Sequence, residues 1–265
     1  VGAYLEDENG TNNGAAYIFR DSSGTWVEEQ KLISGEFFNG GSGADAPSTS
    51  AYFGQSVDIS KDGNYAIVGS QNYAGNSGSL SASGAAYVFK DSNGTWVEKQ
   101  RLEASDKGAS DQFGGSVSIS NDGLTALIGA HLWDTTSTNG EGAAYIFTRS
   151  GETWSQTQRL EASDQQANDN FGYSVDIDSS GEYAIIGAYA EDDKGSQAGA
   201  AYIFKDSSGT FVEKQKLTAS DGLANDNFGY HVSISDSSAT VVVGANNKDY
   251  MTYLPGSSTK YNTVS

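Results

Sequence analysis

Three pairs of aspartates with the same spacing are the residues of this sequence best suited to binding chemistry. In each pair the two residues lie five positions apart in a polar segment that ends at a Phe-Gly dipeptide, and the pairs are Asp106 with Asp111, Asp164 with Asp169, and Asp221 with Asp226. Such a loop could fold two carboxylates onto one cation, and calcium takes about six to eight oxygen ligands. The pattern therefore predicts either calcium sites or turns in which aspartate accepts hydrogen bonds from nearby backbone amides.

Aromatic side chains recur in four segments whose sequences otherwise differ. Near the start of these segments lie Tyr4, Tyr73, Trp133 and Tyr189. Variable loops on a constant scaffold are a usual place for recognition. We therefore expect these residues either to contact a carbohydrate or protein ligand or to pack against the neighbouring repeat.

Groups that could catalyse a reaction do not form a recognisable pattern. His131 and His231 occupy positions that are not equivalent, and neither belongs to a nucleophile-histidine-carboxylate group that the sequence can identify. The glycines fall at turns and strand ends and not in a phosphate-binding or dinucleotide-binding motif. The sequence contains no cysteine, which excludes disulfides and thiolate metal sites. We expect a protein that is not an enzyme.

The elements that position these residues repeat along the chain. Residues 171–188 read FGYSVDIDSSGEYAIIGA, and close copies begin at Phe53, Phe113 and Phe228, so that the intervals between the four phenylalanines are 60, 58 and 57 residues. A fixed period of this size is typical of a repeat architecture and not of a single irregular core.

Each copy predicts four strands. Residues 174–178 alternate polar and apolar side chains, and residues 183–187 are almost continuously apolar, as in a strand buried on both faces. Residues 200–204 form a third strand, and the charged residues of 211–217, including Lys216, suit a solvent-exposed fourth strand. Four antiparallel strands in this order predict an all-β fold, the β-propeller, with the first strand of each blade at the central axis.

The motifs that open and close these strands resemble a known family. Phe-Gly opens the first strand and Gly-Ala closes the second in three copies, while the copy at Phe53 closes with Gly69-Ser70. This pattern is similar to the FG-GAP repeat of integrin α-chain N-terminal propellers and of bacterial and protist surface proteins. The resemblance implies calcium between the first two strands, but here those loops are short turns such as Asp122-Gly123, so we do not expect that site.

The repeats predict one continuous array of blades. It comprises a partial blade at 1–52, blades that start at Phe53, Phe113 and Phe171, and a partial or degenerate blade at 228–265. Either the two ends combine and close a ring of four blades, or about five blades belong to a larger ring, which the resemblance to integrins implies has seven. The segment 33–52 is longer than its counterparts in the other copies. Long insertions into a repeat tend to be functional or disordered.

The charge of the chain limits its partners. With 15 basic and 34 acidic residues the formal net charge is −19, which disfavours nucleic acid and anionic membranes as partners. Cations and basic surfaces are the partners that this charge favours. Alternatively, the charge serves only to keep a β-rich surface soluble. No apolar run is long enough for a membrane span. Asn9 and Asn93 each begin an N-glycosylation pattern, although Asn93 also fits a hairpin turn.

These observations lead to two hypotheses about function. The first is an extracellular or cell-surface module for binding or adhesion, which recognises a protein or glycan through loops between strands. The second is a structural subunit of a surface layer or filament, in which strands from neighbouring copies complete the blades at the chain ends.

Overall fold

A computed structural model describes residues 1–7, 12–34, 50–75, 80–135, 140–248, 250–252 and 261–263. In these ranges the chain forms antiparallel sheets and no helix, which confirms the all-β prediction. The search for a helix long and apolar enough to cross a membrane finds none among the same residues. Asn9 and most of segment 33–52 lie outside the described ranges.

Three of the sheets contain four strands each and are the predicted blades. Blade 2 is formed by β4 (Phe53–Ile59), β5 (Tyr65–Ser70), β6 (Ala85–Asp91) and β7 (Trp96–Leu102). Blade 3 is formed by β8 (Ser116–Ile119), β9 (Thr125–Ala130), β10 (Ala143–Ser150) and β11 (Thr153–Leu160). Blade 4 is formed by β12 (Phe171–Ile177), β13 (Tyr183–Ala188), β14 (Ala200–Asp206) and β15 (Phe211–Leu217).

Smaller sheets precede and follow these blades, which are the four-stranded blades of a β-propeller. Blade 1 has three strands, β1 (Gly2–Ala3), β2 (Ala15–Ser22) and β3 (Thr25–Leu32). Blade 5 has two described strands, β16 (Phe228–Ile234) and β17 (Val241–Ala245). A separate pair is formed by β18 (Tyr250–Thr252) and β19 (Tyr261–Thr263).

The hydrophobic core lies between adjacent blades. In β5, Ala66 and Val68 face blade 1, whereas Ile67 faces Val117 and Ile119 of blade 3. The second strand of a blade is therefore covered on both of its faces, which explains why its sequence is continuously apolar where the first strand alternates.

Close approach of two glycines explains the Phe-Gly and Gly-Ala motifs. The glycine near the end of the second strand in one blade meets the glycine of Phe-Gly in the next blade. A Cβ atom added to Gly129 would lie 1.9 Å from the carbonyl oxygen of Gly172, and one added to Gly69 would lie 2.0 Å from that of Gly114. Any side chain at Gly69 or Gly129 would separate the blades, so both motifs belong to one contact.

The first strands lie next to one another around the axis, as predicted. Their inner edges would expose unpaired amides, but side chains of the preceding blade accept these hydrogen bonds. The amide of Ile119 donates to Asp58 at 2.8 Å, and the amide of Ile234 donates to Asp176 at 2.8 Å. Polar side chains that alternate along the first strand thus join the blades at the axis.

An aromatic residue at the start of the fourth strand joins the blades at the rim. The backbone of Trp96 is clamped by the side chain of Gln30 in blade 1, which accepts from its amide at 2.7 Å and donates to its carbonyl at 2.9 Å. Trp96 and Trp154 are 4% and 2% exposed, whereas Trp26 is 70% exposed because no described sheet lies before blade 1.

Candidate functional site

A polar cavity opens at one end of the propeller axis. It lies where the first strands begin and the second strands end, which is also the end that carries the loops joining strands two to three and the connections between blades. The cavity, here the axial pocket, has a volume of about 410 Å³. Strand starts supply Gln55, Ser56, Ser116, Tyr173, Ser174 and His231 to its wall.

The remaining wall residues come from the connections. Gln71 and His131 follow the second strands of blades 2 and 3, and Gln112 directly precedes Phe113. Gly115 occupies the position after Phe-Gly where the other copies have Gln55, Tyr173 and Tyr230. A Cβ atom added to Gly115 would lie only 3.1 Å from the amide oxygen of Gln71, so a larger side chain here would crowd this part of the pocket.

Sequence reasoning missed the axial pocket, although a signal for it existed. The residue after Phe-Gly, the residue before Phe and the residue after Gly-Ala or Gly-Ser differ among the copies, while the glycines between them are constant. Comparison of the copies position by position therefore identifies the residues that the scaffold does not fix.

A cluster of tyrosines borders the pocket in blades 4 and 5. The ring of Tyr173 lies 4.5 Å from that of Tyr189 and 4.8 Å from that of Tyr230, between centroids. The hydroxyls of Tyr173 and Tyr230 are 2.8 Å apart. Burial and this hydrogen bond raise the pKa of Tyr173. Tyr189, predicted as a ligand contact, is thus on the loop face and also packs on the neighbouring blade.

Two histidines meet the same cluster. The ring of His131 lies 5.1 Å from that of Tyr173, and the ring of His231 lies 5.0 Å from that of Tyr230. Burial lowers the pKa of His131 to about 4, so its imidazole is neutral at pH 7. Tyr4, the other predicted tyrosine of this face, is 40% exposed.

The side chains of Tyr73 and Trp133 are buried, which contradicts the prediction that they contact a ligand. They are only 3% and 4% exposed, and each ring lies beneath a guanidinium of the fourth strand. The guanidinium carbon of Arg101 is 4.8 Å from the ring of Tyr73, and that of Arg159 is 4.1 Å from the ring of Trp133. These two aromatics pack inside the molecule, as the alternative expectation held, and are not presented to a ligand.

The first aspartate of two predicted pairs binds side chains of the blade that follows it. Asp106 accepts from the hydroxyl of Tyr145 at 3.1 Å and pairs with Arg159. Asp164 accepts from the hydroxyl of Tyr202 at 2.9 Å. These carboxylates fix a buried tyrosine and a basic residue on the third and fourth strands.

The second aspartate of each pair is buried and forms a turn. Asp111, Asp169 and Asp226 are 5%, 2% and 1% exposed. They accept hydrogen bonds from the backbone amide three residues earlier, at 2.5, 2.8 and 2.8 Å respectively. Burial raises the pKa of Asp111 and of Asp169 to about 6. This geometry agrees with the turn-forming alternative.

One acidic cluster has a spacing that could hold a metal ion. Oxygens of Asp164, Glu191 and Asp193 lie within 4.8 Å of one another. The ammonium of Lys216 donates to these three carboxylates at 2.6, 2.8 and 2.6 Å respectively, and Lys216 itself is only 19% exposed along its side chain. Lys216 is therefore not the solvent-exposed edge residue that the sequence predicted, and a metal would have to displace its ammonium.

The short hairpins between strands one and two use their oxygens within the turn. Asp62 accepts from the hydroxyl of Ser60 at 2.6 Å and from the amide of Asn64 at 3.0 Å. Asp122 accepts from the hydroxyl of Ser120 at 2.6 Å in the same way. These hairpins do not fit the calcium site that the family resemblance implies, as expected from their length.

Comparison with known proteins agrees with this geometry. The family profile for the FG-GAP repeat matches the chain four times, at residues 43–89, 96–147, 154–204 and 211–258. FG-GAP repeats are typical of extracellular and surface proteins, and their propeller fold is typically non-enzymatic. No curated protein matches the chain significantly. The four matches cover well over half of the length of the chain, and the strands within them form propeller blades. The chain therefore belongs to the FG-GAP repeat family.

Proposed function

We propose that this protein is a binding or adhesion module that acts outside the cell or at its surface. It recognises a protein or glycan with its loop face, the end of the propeller that carries the axial pocket. The observation that carries this proposal is the distribution of differences among the copies. The glycines at which neighbouring blades touch are constant, whereas positions around the pocket vary among the copies, such as the residue after Phe-Gly, which is Gln55, Gly115, Tyr173 or Tyr230.

The arrangement of the loop face supports recognition. Aromatic rings, amides and imidazoles meet in one concave surface at the axis, and concave sites with a few convergent polar groups are typical of ligand binding. Tyr4 and Tyr189 lie at equivalent positions on this face. Tyrosine offers a large contact area at a small cost in conformational entropy.

The surroundings of the two histidines support binding over catalysis. In the described ranges, His131 and His231 contact tyrosine rings and form no hydrogen bond with a carboxylate that would make either of them a general base. Burial also lowers the pKa of His131 to about 4, so its imidazole is neutral at pH 7 and is not an imidazolium general acid.

Binding to intact cells tests the proposed function. Labelled protein would be incubated with a panel of bacterial and eukaryotic cells and measured by flow cytometry. We expect binding that falls at least about tenfold in Tyr189→Ala, because central aromatic contacts contribute most of the binding energy. Asp122→Asn, at the opposite end of the axis, is the matched control and should bind like the native chain. Equal binding by the two variants would contradict a role for the loop face.

A structural subunit of a surface layer or filament is the second candidate function. It is favoured by an apolar side chain on the outer face of blade 5, where Val242 is 67% exposed. Inside the chain the equivalent residue Ile67 is buried against Val117 of the next blade. Copies joined head to tail would bury Val242 and could form open fibres. Sedimentation at several concentrations tests this candidate, and a monomer throughout would exclude it.

A further inference from the structure

Among the residues that the structure describes, the wall of the axial pocket contains amides, hydroxyls, imidazoles and a phenol but no side chain of aspartate, glutamate, lysine or arginine. This composition is unusual on a chain with a net charge of −19. The described wall residues offer no lysine or arginine to pair with an anionic ligand and no carboxylate to pair with a cationic one. Its ligand should therefore be uncharged and rich in hydrogen-bonding groups.

Tyr173 provides a rigid apolar surface in this polar wall. Tyr189 and Tyr230 pack against its ring, and the hydroxyl of Tyr173 donates a hydrogen bond to the hydroxyl of Tyr230 at 2.8 Å. A ring held in this way loses little further freedom when a ligand packs against it. The ligand should thus combine one apolar face with several polar groups.

The side-chain amides complement such a ligand. Gln55, Gln71 and Gln112 each offer an acceptor oxygen and two donor hydrogens, which is the combination that suits a group of neighbouring hydroxyls. The volume of about 410 Å³ falls in the lower part of the range for small-molecule sites, roughly 300 to 1,000 Å³.

We propose that the axial pocket binds the terminal residue of an uncharged saccharide. The apolar face of the sugar packs against Tyr173, and its hydroxyls exchange hydrogen bonds with Gln55, Gln71 and Gln112. This inference rests on the proposed function and narrows it, since it assigns a ligand class to the loop face. Sialylated and sulfated glycans are excluded from the pocket because it offers their acidic groups no cation.

An array of immobilised oligosaccharides tests the inference, with neutral, sialylated and sulfated members side by side. We expect neutral members to bind, and we expect the affinity for the best of them, measured by titration calorimetry as the free sugar, to fall at least about tenfold in Tyr173→Ala. Tyr173→Phe keeps the ring and should retain most of the affinity. A Tyr173→Ala variant that binds the sugar as tightly as the native chain overturns the inference.

A second variant fills the pocket and leaves the tyrosine cluster intact. Gly115→Gln introduces the residue that blade 2 has at this position and should abolish sugar binding, because its side chain would occupy the space beside Gln71 and His131. Asp122→Asn is the control that should bind normally. Melting midpoints of all variants show whether each one folds. Undiminished binding by a folded Gly115→Gln protein would place the sugar elsewhere and contradict the proposal.

Cell binding separates failure of this inference from failure of the proposed function. Periodate oxidises cell-surface glycans, whereas trypsin removes proteins. Cell binding that survives periodate but not trypsin, without binding on the array, would overturn the inference that the pocket binds a saccharide. The loop face would then remain as a protein-binding surface. Binding restricted to sialylated or sulfated members would also overturn it. Absence of binding to both cells and array would reject the saccharide and the proposed function together.

Discussion

Blades 3 and 4 use the same position of the repeat in opposite ways. Four residues after Gly187, the glycine near the end of the second strand, blade 4 has Glu191, which binds the ammonium of Lys216 at 2.8 Å. Blade 3 has Trp133 at the equivalent position, and its ring lies 4.1 Å from the guanidinium carbon of Arg159. Lys216 and Arg159 are themselves equivalent residues of the fourth strand.

Blades 1 and 2 repeat this difference. In blade 1, Lys31 donates to Glu6 at 2.9 Å, and in blade 2 the guanidinium carbon of Arg101 lies 4.8 Å from the ring of Tyr73. Glutamate therefore accompanies lysine, and an aromatic ring accompanies arginine. The chemistry explains the pairing, because a planar guanidinium stacks on a ring whereas a compact ammonium needs a carboxylate to replace its water.

The largest expected effect comes from removal of the cation in blade 4. Lys216→Met would leave Glu191, which is 1% exposed, without its counter-ion, so we expect a loss of about 3 kcal/mol or more in the free energy of unfolding. Arg159→Met leaves an uncharged ring and two carboxylates that are one-third exposed, and should cost about 1 kcal/mol. Urea denaturation measures both values, and equal losses would remove the distinction between the two kinds of blade.

A smaller effect is expected when arginine is replaced by the lysine of the other blades. Arg159→Lys keeps the charge but loses the planar contact with Trp133, for which we expect a cost of about 0.5 kcal/mol. Arg101→Lys should behave in the same way over Tyr73. The same denaturation experiment checks both variants, and a lysine that stabilises either blade would show that stacking does not select arginine.

The turn-forming aspartates should respond to pH alike in the two blades. The pKa of Asp169 is about 6 in the folded protein, above its ordinary value of 3.8, mainly because the carboxyl is buried. The folded state then binds more protons than the unfolded state between these values, so stability falls as the pH rises from about 4 to 6. Asp169→Asn should flatten this dependence and be more stable than the native chain at pH 7.

Asp111→Asn provides the matching measurement in blade 3, where burial again raises the pKa to about 6. Thermal melting between pH 4 and 7 would follow both variants. If only Asp169→Asn flattened the curve, neighbouring carboxylates of blade 4 and not burial would be the main cause of the high pKa.

Periodicity made the fold predictable, but contacts across long sequence distances hid part of the site. The first and second strands of each blade follow from alternation in 174–178 and apolarity in 183–187, since neighbouring blades impose those patterns directly. Lys216 looked exposed because its strand alternates, and nothing local shows that Glu191 lies 25 residues earlier at its ammonium. Tyr73 and Trp133 were grouped with Tyr4 and Tyr189 although they stand two positions further along their loops.

Calcium is expected to have the smallest effect of all on the native chain. The sequence predicted that calcium, if it binds, lies at the paired aspartates, and the structure places ammonium groups of the chain at two of these pairs. Lys248 donates to Asp226 at 2.7 Å and lies 3.4 Å from Asp221, as Lys216 lies beside Asp164. A divalent ion would have to displace an ammonium already in contact, so the melting midpoint should be the same with calcium and with a chelator.

The same experiment on Lys216→Met should give a different result. Without the ammonium, Asp164, Glu191 and Asp193 keep oxygens within 4.8 Å of one another and no cation between them. A ligand that binds only the folded state at a hundredfold excess over its Kd adds about 2.7 kcal/mol, which moves a midpoint by several degrees. Calcium should therefore restore part of the stability that Lys216→Met loses. A calcium shift in the native chain that Asp164→Asn with Asp169→Asn abolishes, and Asp122→Asn does not, would instead show that the metal displaces lysine.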